Sequence, residues 1–117
     1  MSREDTAWAA GLFEGEGSFD VKRSVAKGNW YSYLRLQIDS TDEDVLRKFL
    51  TVAACGKVYG PYEDGRKNRL GEKPYWKFNV SGKPAIALAL RLKPFLCKRR
   101  TQRLEELLSS RVKWGRE

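Results

Sequence analysis

The sequence predicts an α+β fold of order αββαββα, one mostly antiparallel sheet with helices on one face and the other face left open. Three observations predict it. Two alternating apolar and polar stretches, 18–25 and 30–40, stand on either side of a turn signal. A second such pair follows at 57–62 and 75–80, so a helix-strand-strand order occurs twice, with negligible identity between the halves. Helical periodicity then runs from Gly82 onward. With 117 residues, 41% of them hydrophobic, the chain reads as one domain spanning 1–117, able to bury a core.

Ser2 and Asp5 have the spacing of a capping box and open a short helix over 6–14, rich in small residues, which ends at Gly15-Glu16-Gly17. From Ser18 the period becomes two, with Phe19, Val21 and Val25 on one face and Ser18, Asp20, Lys22 and Ser24 on the other. Lys27-Gly28-Asn29 is the turn of a hairpin, whose second strand sets Leu34, Leu36 and Ile38 against Tyr33, Arg35, Gln37 and Asp39. Thr41 and Asp44 are spaced as a second capping box, before Val45, Leu46, Phe49, Leu50 and Ala53 at helical spacing and a stop at Gly56. In the last strand Trp76, Phe78 and Val80 alternate with Tyr75, Lys77 and Asn79. Ile86, Leu88, Leu90 and Leu92, then Leu104, Leu107, Leu108 and Val112, mark two helices that meet around 93–100.

The open face would display Lys22, Tyr33, Arg35, Gln37, Tyr75, Lys77 and Asn79, a mixture of cations, amides and phenols suited to phosphates and base edges. Lysine and arginine outnumber acids 23 to 15, and the formal charge of +8 points to a polyanionic partner. Basic tips at Lys22, Arg23 and Lys27, and at Arg66, Lys67 and Arg69, could track a phosphate backbone; a solvated loop is the plainer reading. The chain has no histidine, which excludes histidine general bases and zinc fingers and leaves carboxylates for any hydrolysis. Cys55 and Cys97 are expected as reduced core thiols of an intracellular protein. The N-terminus has no signal-peptide pattern, and no apolar run approaches the ~20 residues of a membrane span.

The first helix carries the chemistry. Ala7, Ala10, Gly11 and Glu14 fall at i, i+3, i+4 and i+7, a stripe nearly bare of side chain along which two backbones could approach closely. Because the stripe occurs once, it implies either a twofold homodimer or packing on another element of the same chain. Glu16, between two glycines, can project beyond the fold, and its oxygens suit magnesium. A solvated turn acid is the alternative.

The segment Ala9-Ala10-Gly11-Leu12-Phe13-Glu14-Gly15-Glu16-Gly17-Ser18-Phe19 closely resembles the signature of the LAGLIDADG homing endonucleases and related maturases. Ala9 stands for the first leucine, Phe13 for the isoleucine, and Glu14 and Glu16 for the two acids. The resemblance implies a single-motif, intron-encoded, homodimeric DNA endonuclease. It implies a saddle-shaped sheet lying on a long, roughly palindromic duplex, with the paired helices as the dimer interface. Glu16 and the Gly15 carbonyl would bind Mg2+ or Mn2+, and Ca2+ would support binding with little cleavage. Glu14 would support the interface or the helix end. Arg99, with Lys98 as its near competitor, stands where the family places a catalytic-site lysine, and Ser40 where some members place a water-positioning glutamine; a solvated helix start and a simple turn before a helix are the plainer readings. An RNA maturase or a non-cleaving regulator on this fold would not need metal at Glu16. A small ribosomal or structural RNA-binding protein would explain the charge but not the small-residue helix that ends in an acid.

Overall fold

The computed structural model describes residues 2–63 and 73–109. They form α1 (Arg3–Glu16), β1 (Gly17–Ala26), β2 (Asn29–Ser40), α2 (Glu43–Ala53), β3 (Lys57–Tyr62), β4 (Tyr75–Ser81), α3 (Lys83–Leu92), a 3-10 turn (Lys93–Phe95) and α4 (Lys98–Ser109). Arg66, Lys67, Arg69 and Val112 lie outside the described residues.

The four strands make one antiparallel sheet of order β1-β2-β4-β3. The two hairpins meet along β2 and β4, where Arg35 faces Ser81 and Ser40 faces Trp76. All four helices cover one face. Ala9, Ala10 and Phe13 of α1, Leu46, Phe49 and Ala53 of α2, Ala85, Leu88, Ala89 and Leu92 of α3, and Leu104 and Leu107 of α4 are buried there with Phe19, Leu34, Leu36, Ile38, Phe78 and Val80 of the sheet. Phe13, Phe49 and Phe78 are wholly enclosed, and truncating any of them to alanine would cost about 3–5 kcal/mol.

Ser2 caps α1 as its spacing predicts: its Oγ accepts the Asp5 N–H at 3.0 Å. The second capping box does not form. Asp42 is the residue preceding α2, with no side-chain cap bond, while Ser40 Oγ accepts the Asp42 N–H at 3.0 Å and turns the chain into the helix. Ala54, in the left-handed conformation, ends α2 two residues before Gly56. Arg91 donates from Nη2 to the Ala53 carbonyl at 3.1 Å, satisfying one of the terminal acceptors of α2.

Three apolar assignments are corrected. Leu90 is half exposed, because α3 buries Ala85, Leu88, Ala89 and Leu92 and not alternate leucines. Val25, with its cross-strand partner Trp30, lies where the first hairpin outruns the helices that would cover it. Cys97 is exposed in the link to α4, whereas Cys55 packs partly into the core. Burial raises the Cys55 thiol pKa, with Arg91 opposing.

The joint between α1 and β1 has no linker: Glu16 is the last helical residue and Gly17 the first of the strand. Gly17 is required there by proximity, since a Cβ would lie 2.3 Å from the buried ring of Phe13. That ring also meets Phe19 at a centroid separation of 4.7 Å, locking the turn onto the core.

Candidate nucleic-acid interface and carboxylate site

Cross-strand register sorts the polar side chains of the sheet. Lys22 faces Tyr33, Asp20 faces Arg35, Ser18 faces Gln37, and Gln37 in turn faces Asn79. Asp39 faces Lys77, which faces Tyr59 of β3, and Lys57 faces Asn79. Directly opposed residues of an antiparallel pair share a face. Lys22, Tyr33, Arg35, Gln37, Tyr75, Lys77 and Asn79 therefore stand together on the face away from the helices, joined by Lys57 and Tyr59, which the alternation of β3 could have revealed. Arg23 does not join them. It opposes the buried Ser32, so the period of two sends it to the helix side.

Two features of this face were not legible as single residues. Arg35 is held by Asp20 in a two-point ion pair, Nε to Oδ1 at 2.9 Å and Nη2 to Oδ2 at 2.5 Å. Tyr62, with Tyr75 against its ring at 5.5 Å, has Lys77 Nζ above it at 5.9 Å.

The two acids of α1 have different surroundings. Glu14 is engaged within its own chain: Oε1 accepts the Cys97 N–H at 2.8 Å, and Oε2 lies 3.9 Å from Arg100 Nε. Arg100 also donates from Nη2 to the Glu14 carbonyl at 3.1 Å and sits over Phe13. Its buried Nε has no hydrogen-bond partner, so Glu14 acts on that atom through charge alone. Arg100, absent from the sequence-derived site, clamps the start of α4 to the end of α1; it precedes Leu104 and Leu107 at i, i+4 and i+7, a spacing that could have placed it on the buried face.

Glu16 is exposed and makes no hydrogen bond or ion pair among the described residues. It lines a cleft of about 470 Å³ with Leu12, Asp39, Ser40, Thr41, Asp42, Val45 and Tyr75. The structure thus brings Glu16 and Ser40 together, with two further acids that sequence reasoning did not single out. Arg99 lines a different hollow, with Ser18, Phe19, Arg100, Gln102, Arg103 and Glu106. Lys98 and Arg99 are exposed and form no ion pair among the described residues.

A hard divalent cation takes about six or more oxygen ligands. No group of three or more histidine, cysteine, aspartate or glutamate residues able to hold a metal occurs among the described residues. The carboxylate of Glu16, without a partner among the described residues, is the right type of donor, but alone it does not complete such a shell. Glu16 and the other oxygen-bearing side chains of its cleft fit a hard cation in donor type.

The proposed pairing surface needs one correction. Ala10 is fully buried in the core of its own chain, because it lies on the α1 face that meets the sheet with Ala9 and Phe13. Ala7, Gly11 and Gly15, spaced i, i+4 and i+8, form the open stripe; a Cβ on either glycine would meet nothing within 4 Å.

This architecture is that of the LAGLIDADG homing endonucleases. The chain is similar to the homing endonuclease I-CvuI in complex with its DNA target in the presence of calcium, with a TM-score of 0.61 and 20% identity over 92% of this chain and 72% of that one. It is similar to the homing endonuclease I-TnaI, with a TM-score of 0.64 and 19% identity over 88% of this chain and 68% of that one. The LAGLIDADG meganuclease I-AabMI, bound to uncleaved DNA, gives a TM-score of 0.64 and 17% identity over 86% of this chain and 33% of that one. No family model and no curated protein matches the sequence, so the likeness is one of fold.

Proposed function

We propose that this chain is the subunit of a homodimeric, sequence-specific endonuclease that cuts double-stranded DNA at a long, roughly palindromic site, wherever in the cell its host DNA resides. The observation that carries the proposal is the placement of Glu16. It is an uncommitted carboxylate at the end of a helix whose open stripe is Ala7, Gly11 and Gly15, and it adjoins the first strand of a polar sheet face. Two copies paired along that stripe would bring two Glu16 carboxylates together beside one duplex.

Glu16 and the Gly15 carbonyl of each copy would hold Mg2+ or Mn2+, which supplies charge to polarise the scissile phosphate and activate water. The chain's own residues do the remainder. Lys22, Lys57 and Lys77 neutralise phosphates, while Tyr33, Gln37, Tyr75 and Asn79 offer donors and acceptors to base edges in the major groove. Arg99 and Lys98, which form no ion pair among the described residues, would offset charge on the phosphate; Arg99 keeps its proton and would serve as a fixed cation. Ser40 has one lone pair committed to the Asp42 N–H but retains its hydroxyl proton, which it can donate to water in the cleft beside Glu16.

The test is incubation of the chain with a pooled duplex library in magnesium, followed by sequencing of the cut ends. Cleavage at one recurring site is expected, with Glu16→Gln abolishing it while leaving DNA binding and the melting temperature in place. Calcium should sustain binding with little cutting. A Glu16→Gln chain that cuts at the parent rate refutes the assignment. Tight binding without cleavage by the parent chain in either metal would instead identify a maturase or a regulator.

A further inference from the structure

An acid in the middle of a surface that must bind a polyanion needs a reason. Asp20 is such an acid: it stands on the open face of β1, opposite Arg35 of β2, with Lys22 and Tyr33 on one side and Ser18 and Gln37 on the other. The Asp20–Arg35 pair carries no net charge, so it adds nothing to the general attraction for phosphates. Its geometry, in contrast, is specific.

A guanidinium has five N–H donors in a fixed plane. Asp20 takes two of them, on Nε and Nη2, and so occupies one edge of the group. The edge formed by Nη1 and the second N–H of Nη2 stays available, and its two parallel donors match the O6 and N7 acceptors of guanine in the major groove. The Arg35 side chain is 23% exposed, so Asp20 and the neighbouring strands hold it in one orientation before any DNA arrives. The hydrogen bond that Arg35 donates to Asp20 also raises the Arg35 pKa, so the donors are constant across any working pH.

We infer that Asp20 and Arg35 form a guanine-reading unit, in which Arg35 touches the base and Asp20 is the positioning residue that fixes its free edge toward the groove. The inference rests on the DNA-binding role proposed for this face. It also predicts a place. Asp20 is three residues along β1 from Gly17, the residue after Glu16, about 10 Å at strand rise, or on the order of three base pairs at 3.4 Å per step. One guanine per half-site is expected at that distance outward from the phosphates nearest Glu16.

The experiment is a binding selection on a randomised duplex pool with the full chain in calcium, comparing the parent with Asp20→Asn and Arg35→Lys. The parent should select a guanine at one symmetric position, and both variants should lose about tenfold or more of that preference. The affinity of Asp20→Asn for random duplex, and its salt dependence, should rise slightly, because a negative charge leaves the face. Replacing the selected guanine by 7-deazaguanine, which lacks the N7 acceptor, should weaken binding of the parent chain by more than that of Arg35→Lys, whose ammonium has no fixed two-point edge; this arm needs no folded Asp20 variant. Uniformly tighter binding by Asp20→Asn with every base preference intact would overturn the inference and leave the DNA-binding reading standing, as would indifference of the parent to the deaza base. A parent chain that binds no duplex would end both.

Discussion

The carboxylate of Glu14 accepts the backbone N–H of Cys97 at 2.8 Å, tying the end of α1 to the start of α4 across 83 residues of sequence. The same side chain faces Arg100, which is largely buried. Glu14→Ala should therefore destabilise the folded chain by about 1–3 kcal/mol, by stranding a donor and a partly buried cation. Glu14→Gln, which keeps an acceptor, should lose less. Urea unfolding at unchanged m-value checks both, and a variant as stable as the parent would dissociate Glu14 from the clamp.

Gly11 and Gly17 should respond oppositely within one subunit. Gly17→Ala forces a methyl against the enclosed Phe13 ring and should cost about 1–3 kcal/mol. Gly11→Ala meets open space in an exposed stretch of helix and should raise subunit stability by about 0.5–1 kcal/mol. Gly11→Leu should leave the subunit folded yet lower its sedimentation mass to that of a monomer, and a parent chain that is itself monomeric at DNA-binding concentrations would defeat the pairing proposal.

Lys77→Glu should weaken duplex binding on every sequence and reduce the slope of log affinity against log salt by about one or more. Arg23→Glu, on the other side of the sheet, should do so far less. Equal losses from the two would show that the open face is not the binding surface.

Alkylation should discriminate the thiols. Cys97 is exposed and should react first; Cys55, partly buried with its pKa raised, should lag until the pH is more alkaline. The sign for stability follows from linkage: a raised folded-state pKa gives a contribution that is full below the unfolded thiol value, near 8.5, and is lost as pH rises through the folded one. Mass spectrometry of peptides modified over a pH series resolves the order.

The sheet was legible because alternation over Phe19 to Val21, Leu34 to Ile38 and Trp76 to Val80 is unambiguous once one face is buried. The α1 stripe was less so. Ala7, Ala9 and Ala10 are equally small, and a periodicity of 3.6 cannot say which of them meets the chain's own sheet. In Ser40-Thr41-Asp42-Glu43-Asp44 several side chains could cap the helix, and tertiary packing decides among them. Lys98, Arg99 and Arg100 are chemically alike on paper; only the folded chain separates the buried clamp from the two exposed cations. The Asp20–Arg35 pair required the register between strands, which no single stretch of sequence contains.

The absence of any linker between α1 and β1 bears on how a pair of subunits would measure DNA. With helix and reading strand joined at one peptide, the seam between two α1 helices would behave as a rigid ruler between two half-sites, without slack to absorb a change in their separation. Inserting one base pair at the centre of the target would displace one half by about 3.4 Å and rotate it by about 35°. Such a target would be held by one subunit at a time, and the cooperative gain from two linked half-sites would be lost.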